Sequence, residues 1–256
     1  MDRAKPTRRE FCGTLLGSVL TYSLLTGCSK PQAVSTAVEP LVRHWAIELN
    51  EYCSDLKLGR IPQSVWQESV ERLFSRVDLK ELLGFIDFET LEKSLKYPDL
   101  GVAIENVTFP PLEGLPKDLV FIKKIFGMRK GRAIIPHGHS NMASAHLVLG
   151  GQFKLRHYEK LVLEKRHMTI RPTIDMTAAA GTASSISDEA NNVHWFVAES
   201  DRAFTFDVIM LDLAGKRYDI HNLDLDRAEP LDGDELRVPV IDVNTALKRY
   251  GKSAMH

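Results

Sequence analysis

Four of the chain's nine histidines, His137, His139, His146 and His157, fall between residues 137 and 157. The segment reads Ile134-Ile-Pro-His137-Gly-His139-Ser-Asn-Met-Ala-Ser-Ala-His146-Leu-Val-Leu-Gly150-Gly151. In an extended strand side chains alternate faces, so His137 and His139 point the same way about 7 Å apart, within reach of one ion. His146 opens a second strand after Ser140-Asn141, and Gly150-Gly151 reads as a hairpin turn. If that strand pairs with the first, His146 faces the same cavity. A further histidine, His194, sits inside the buried-looking run Val193-His-Trp-Phe-Val. Burying several imidazoles is costly unless each finds a partner, and a single metal ion partners several at once. The chemistry this pattern suggests is metal binding.

The elements that must position these residues are mostly strands. The chain has 256 residues, 44% hydrophobic and 26% charged, values that exclude bulk disorder and a polytopic membrane protein. From Glu39 to Leu58, Leu41, Trp45, Leu49 and Tyr52 recur at helical spacing. Pro62 opens a second helix through Val65, Val70, Leu73 and Phe74, and shorter helical segments follow at Leu79–Phe85 and Phe88–Leu95. Beyond Tyr97-Pro98-Asp99 the texture changes to short apolar runs broken by Gly, Pro and Asn, among them Val120-Phe-Ile, Ala133-Ile-Ile, Leu147-Val-Leu and Phe204-Thr-Phe-Asp-Val-Ile-Met-Leu. Strands at that spacing predict a sandwich or barrel. Lys plus Arg number 33 against 34 for Asp plus Glu, so no basic excess points to nucleic acid.

The segment 137–151 resembles the first motif of the cupin family, H-x-H, three or four residues, Glu, six residues, Gly. His137-Gly138-His139 supplies the pair, and Gly150 and Gly151 both fall where the final Gly is allowed. Ala143 or Ser144 stands at the Glu position. His194 matches the histidine of the second motif, whose Pro, Gly and Asn positions hold Glu189, Asn191 and Ala198. The resemblance covers roughly residues 100–225. It implies a mainly β fold, a cupin-type double-stranded β-helix (jelly-roll) barrel, with the helices as an N-terminal extension. It also implies His137, His139 and His194 as metal ligands. Cupins without the Glu are similar to thiol dioxygenases, which hold iron(II) with three histidines. That likeness implies an Fe(II) cofactor, with Mn, Ni, Cu or Zn as other ions suited to nitrogen donors. The activity implied is a dioxygenase or oxidoreductase acting on a small anionic substrate, thiol or carboxylate. The alternative is a non-catalytic cupin that binds or senses a small ligand or metal at the cell envelope.

His146 has no counterpart in the motif. It is a fourth ligand, a hydrogen-bond donor behind the ligands or a substrate contact, and the latter two leave room for chemistry. Arg156 and Tyr158 share one strand face, opposite His157, and are expected beside the metal or the substrate. Arg171, Thr173 and Asp175 form another polar face of the same kind. Cys53, in the helical segment, has no expected catalytic role.

The N-terminus resembles an export address. Arg8 and Arg9 before Phe11 resemble a twin-arginine signal, and Leu25-Thr-Gly-Cys28 resembles a bacterial lipoprotein box with Cys28 as the lipidated residue. The expected division is a signal peptide over 1–27, a lipid-anchored linker over 28–38, a helical preface over 39–98 and a β-barrel with C-terminal tail over 99–256. The expected location is the periplasm or cell envelope, with the membrane contacted through the N-terminal lipid. With three cysteines in all, no disulfide framework is expected.

Overall fold

Apolar residues at three- and four-residue spacing build the first helices. Trp45, Ala46, Leu49, Cys53 and Leu56 are buried along α1 (Leu41–Lys57), and Trp66, Val70, Leu73 and Phe74 along α2 (Gln63–Phe74). The structure, a computed structural model, describes residues 41–252. Arg8, Arg9 and Cys28, with the proposed signal and linker, lie outside the described residues, as does His256. Two short helices follow, α3 (Leu79–Phe85) and α4 (Phe88–Ser94). Asp78 caps α3 by accepting from the Glu81 amide. No described helix is long and apolar enough to cross a membrane.

Among the described residues twelve strands follow, in two antiparallel sheets. They are β1 (Ala103–Asn106), β2 (Ile122–Met128), β3 (Ala133–Ser140), β4 (Ala143–Gly150), β5 (Gln152–Leu163), β6 (His167–Ala179), β7 (Ala183–Ile186), β8 (Val193–Ala198), β9 (Ala203–Met210), β10 (Asp219–Leu223), β11 (Glu229–Pro230) and β12 (Leu236–Ile241). One sheet has the order β1-β2-β9-β4-β7 and the other β10-β3-β8-β5-β6-β12-β11. The cores of these sheets, β2-β9-β4-β7 and β3-β8-β5-β6, are the two four-stranded halves of a jelly roll. The mainly β, cupin-type double-stranded β-helix expected from the sequence is therefore the fold, with helices preceding it.

The links between neighbouring strands differ from the expectation. Only Asn141 and Met142 separate β3 from β4, and only Gly151 separates β4 from β5, yet neither pair is hydrogen-bonded. Each short link carries the chain from one sheet to the other. Asn141 makes its corner in the left-handed conformation at φ 57°. At Gly151, φ is 75° and a Cβ would stand 2.7 Å from Ala203 Cα, so both backbone and space require glycine.

The first sheet buries both of its faces, whereas β6 of the second is largely exposed. The outer face of the first packs on the helices, with Trp45 and Phe74 rings 6.0 and 6.1 Å from Phe206. On its inner face β4 presents Ser144 and His146 and β9 presents Asp207 and Ile209, all of which border one cavity. The second sheet closes on itself where β10 pairs with both β3 and β12. Met168, Val193, Leu223 and Val238 fill that closure. A last helix, α5 (Val243–Tyr250), is capped by Asp242 and packs Tyr250 against Trp195, ring centroids 5.6 Å apart.

Candidate metal centre

Strand register brings the histidines together. On the second sheet His137 of β3 is paired with His194 of β8, and His194 with His157 of β5, so all three rings leave the same face. His139 lies two residues further along β3 on that face, its ring centroid 4.6 Å from His137. Pro136, which has no amide hydrogen to give a ladder, sits where the β3–β8 register shifts, between Ile134 and His137. Gly138, between the two histidines, faces the closed side. A Cβ there would meet Val193 Cγ2 at 2.9 Å and Met168 Cε at 3.0 Å.

The Nε2 atoms of His137, His139 and His194 converge. His194 Nε2 lies 3.0 Å from His137 Nε2 and 3.3 Å from His139 Nε2. The donor atoms of the three residues lie within 4.8 Å of one another, a spacing suited to one ion. Local hydrogen bonds set the tautomers. His137 Nδ1 donates to the Ile135 carbonyl at 2.7 Å, and His139 Nδ1 donates to the Met142 thioether at 2.9 Å. Both Nε2 atoms of these neutral rings therefore carry lone pairs aimed at the common point. Burial lowers the proton affinity of all three, to a pKa of about 4 for His137 and well below the ordinary 6.5 for His139 and His194, and neighbouring imidazoles lower it further. A neutral His194 can donate to only one of its neighbours, so converging lone pairs remain that a cation would satisfy. This donor set fits a metal ion.

The backbone of His139 is fixed by a buried network. Its amide donates to Asn192 Oδ1 at 2.9 Å, while Asn192 Nδ2 donates to the His139 carbonyl at 3.1 Å and the Ser187 carbonyl at 2.8 Å. Lys160 also donates to the His139 carbonyl and pairs with Asp188 at 3.1 Å. The 187–192 turn is tied to α2: Ser187 Oγ donates to Gln67 Oε1 at 2.6 Å, and Gln67 Nε2 donates to the Ala190 carbonyl at 3.2 Å. Asn191 takes the left-handed conformation in this turn, at φ 53°, where the family motif has glycine.

His146 reaches the site from the opposite sheet. Its ring lies 4.8 Å from that of His194, and its Nδ1 donates to Asp207 Oδ2 at 2.7 Å. Both side chains are 2–3% exposed. Its Nε2 has no hydrogen-bond partner among the described residues, and His146 lines the cavity beside the three converging histidines. Ser144 also lines this cavity, at the position where the motif would place Glu, whereas Ala143 belongs to the core beneath the helices. A carboxylate does line the cavity from the adjoining strand, where Asp207 is the register partner of His146.

Three sequence expectations need correction. Arg156 stands on the far face of its sheet, its guanidinium 4.6 Å above the Trp195 ring and its Nε 3.3 Å from Asp175. Tyr158 shares that face and is buried with Met168 and Val193 inside the closed end. Arg171, Thr173 and Asp175 are exposed. The face that looks into the site is that of His157, because it pairs in register with His194. Burial lowers the His157 pKa to about 3.

Asp207 was missed in the sequence. A lone acid inside Phe204-Thr-Phe-Asp-Val-Ile-Met-Leu was the available signal for Asp207.

The cavity measures about 340 Å³ and is walled by Ile122, Phe126, Ile134, Met142, Ile209 and Leu211, with Tyr218 and Ile220 at its rim. Another cavity of about 350 Å³ lies among Val107–Lys123, away from the histidines.

No protein-family model matches the sequence, and no curated protein matches it. Solved structures do. KdgF from Halomonas sp. is 15% identical over 46% of this chain and 86% of its own, with a TM-score of 0.33. TT1209 from Thermus thermophilus is 17% identical over 47% and 92%, with a TM-score of 0.34. Procruciferin, an 11S globulin from Brassica napus, is 14% identical over 50% and 29%, with a TM-score of 0.34. The fold assignment rests on the strand order rather than on these likenesses. The chain has a cupin-type fold carrying a three-histidine candidate metal site.

Proposed function

We propose that the protein is an exported, lipid-anchored oxidoreductase in which His137, His139 and His194 hold iron(II) for a dioxygenase reaction on a small anionic substrate. The observation that carries this reading is the convergence of three neutral Nε2 donors at one side of an apolar cavity. Bound there, iron(II) would supply a redox-active Lewis acid with positions free for oxygen and substrate. The three imidazoles bring no charge, which favours an anionic substrate ligand. His146 prepares that anion. Asp207 holds its proton on Nδ1, so Nε2 is the acceptor that takes a proton from the substrate's acidic atom, leaving an imidazolium–carboxylate pair. The hydrocarbon walls keep bulk water from the reacting atoms.

Oxygen uptake by iron-reconstituted protein tests this, using a panel of thiols and carboxylates. At least one should raise uptake well above the free-iron background. Uniform failure would leave a metal-binding or sensing cupin. Arg8, Arg9 and Cys28 support export and lipid attachment. In a bacterial host Cys28→Ser should move the protein from the membrane to the soluble fraction, and an unchanged membrane fraction would refute the anchor.

A further inference from the structure

The charge this cavity offers an anion comes from β2. Ile122, Lys124 and Phe126 line the cavity, whereas Lys123 faces away, its ammonium 5.1 and 5.6 Å from the Phe109 and Phe121 ring centroids. Lys124 pairs in register with Asp207, and Asp207 with His146. Three polar side chains thus stand in a row across β2, β9 and β4, on the wall facing the histidine triad. Asp207 is engaged by His146. Lys124 makes no ion pair or hydrogen bond among the described residues, and no other Lys or Arg lines the cavity. Its stem is half-buried beside hydrocarbon, and an ammonium so placed is best satisfied by an incoming anion. Most of the remaining lining is apolar: Ile122, Phe126, Ile209 and Leu211 leave few hydrogen-bonding groups for a polar body.

We propose that the cavity binds an amphipathic monocarboxylate, its carboxylate on Lys124 Nζ and its hydrocarbon part against Ile122, Phe126, Ile209 and Leu211. This deepens the function proposed above and rests on it in taking this cavity as the substrate chamber: the carboxylate is held on Lys124, and the acidic atom that His146 deprotonates for the metal is a second group of the substrate.

Calorimetric titration of octanoate and octanamide into the full chain, with and without bound metal, tests the assignment. Octanoate should bind at least tenfold more tightly than octanamide. Lys124→Gln should abolish that preference with metal content unchanged, and Lys124→Arg should keep it. A preference that survives in Lys124→Gln overturns the assignment, as does one that vanishes in wild-type protein when the metal is removed, because the carboxylate then sits on the metal. A Lys124-dependent preference in protein that takes up no metal upholds the anion site and refutes the metal reading alone.

Discussion

Lone pairs on imidazoles 3.0–3.3 Å apart repel one another unless something positive lies between them. That constraint separates the roles of the histidines. His139 sits at the convergence point with its Nδ1 committed to Met142, so His139→Ala should abolish retention of metal through gel filtration. His146 has its Nδ1 committed to Asp207 and lies outside the converging set. His146→Ala should therefore keep about one metal per chain and lower turnover roughly 10²- to 10⁴-fold, the usual range for loss of a general base. Loss of metal from both variants would make His146 a ligand and refute its assignment as base. Cys53 is a different case: burial raises its thiol pKa to about 12, which keeps it unreactive in the core beneath the helices.

At the scale of elements, the metal site depends on a turn and a helix that contribute no ligand. Asn192 clasps both backbone polar groups of His139, and the turn bearing it is held by Gln67 from α2. Asn192→Ala leaves buried backbone groups without this partner and frees the His139 backbone. Metal dissociation should become about 10- to 100-fold easier, the range typical when the groups that hold a ligand in place are lost. Titration against a chelator measures it, and an unchanged affinity would show that the strand alone positions His139. Within a strand the sequence was readable, because alternation alone put His137 and His139 on one face and separated His157 from Arg156 and Tyr158. It did not say which of those faces looks inward. Between strands it was less readable. The short links at Asn141-Met142 and at Gly151 look like hairpins, but in a jelly roll they cross from sheet to sheet, and only the closed tertiary structure decides. For the same reason Asp207 on β9, which holds His146 on β4, goes unannounced in the sequence.

The whole molecule responds to pH through the same burial. His137 and His157 have pKa values of about 4 and 3 when folded, against an ordinary 6.5, and those of His139 and His194 lie well below it. The unfolded chain then binds more protons than the folded one below about pH 6.5. Stability contributed by these groups is complete above that pH and is lost as the pH falls through the folded values. Metal-free protein should lose melting temperature steadily from about pH 7 to about pH 4.5, while His157→Phe, which removes one such group, should lose less. Equal slopes would show that His157 takes its proton in the folded state. Class and helical segments could be read from the chain because they follow from local periodicity, and His137 with His139 because they form a local motif; His194 as a ligand came only from the resemblance. The partners that hold those ligands came from turns and strands far along the chain, as Asn192 does for His139.

The most direct test is X-ray absorption on protein loaded with one equivalent of iron(II) under anaerobic conditions. The account predicts about three imidazole nitrogens at roughly 2.0–2.2 Å, with one fewer in His194→Ala. A first shell without imidazole scattering, or one unchanged by that substitution, would contradict it.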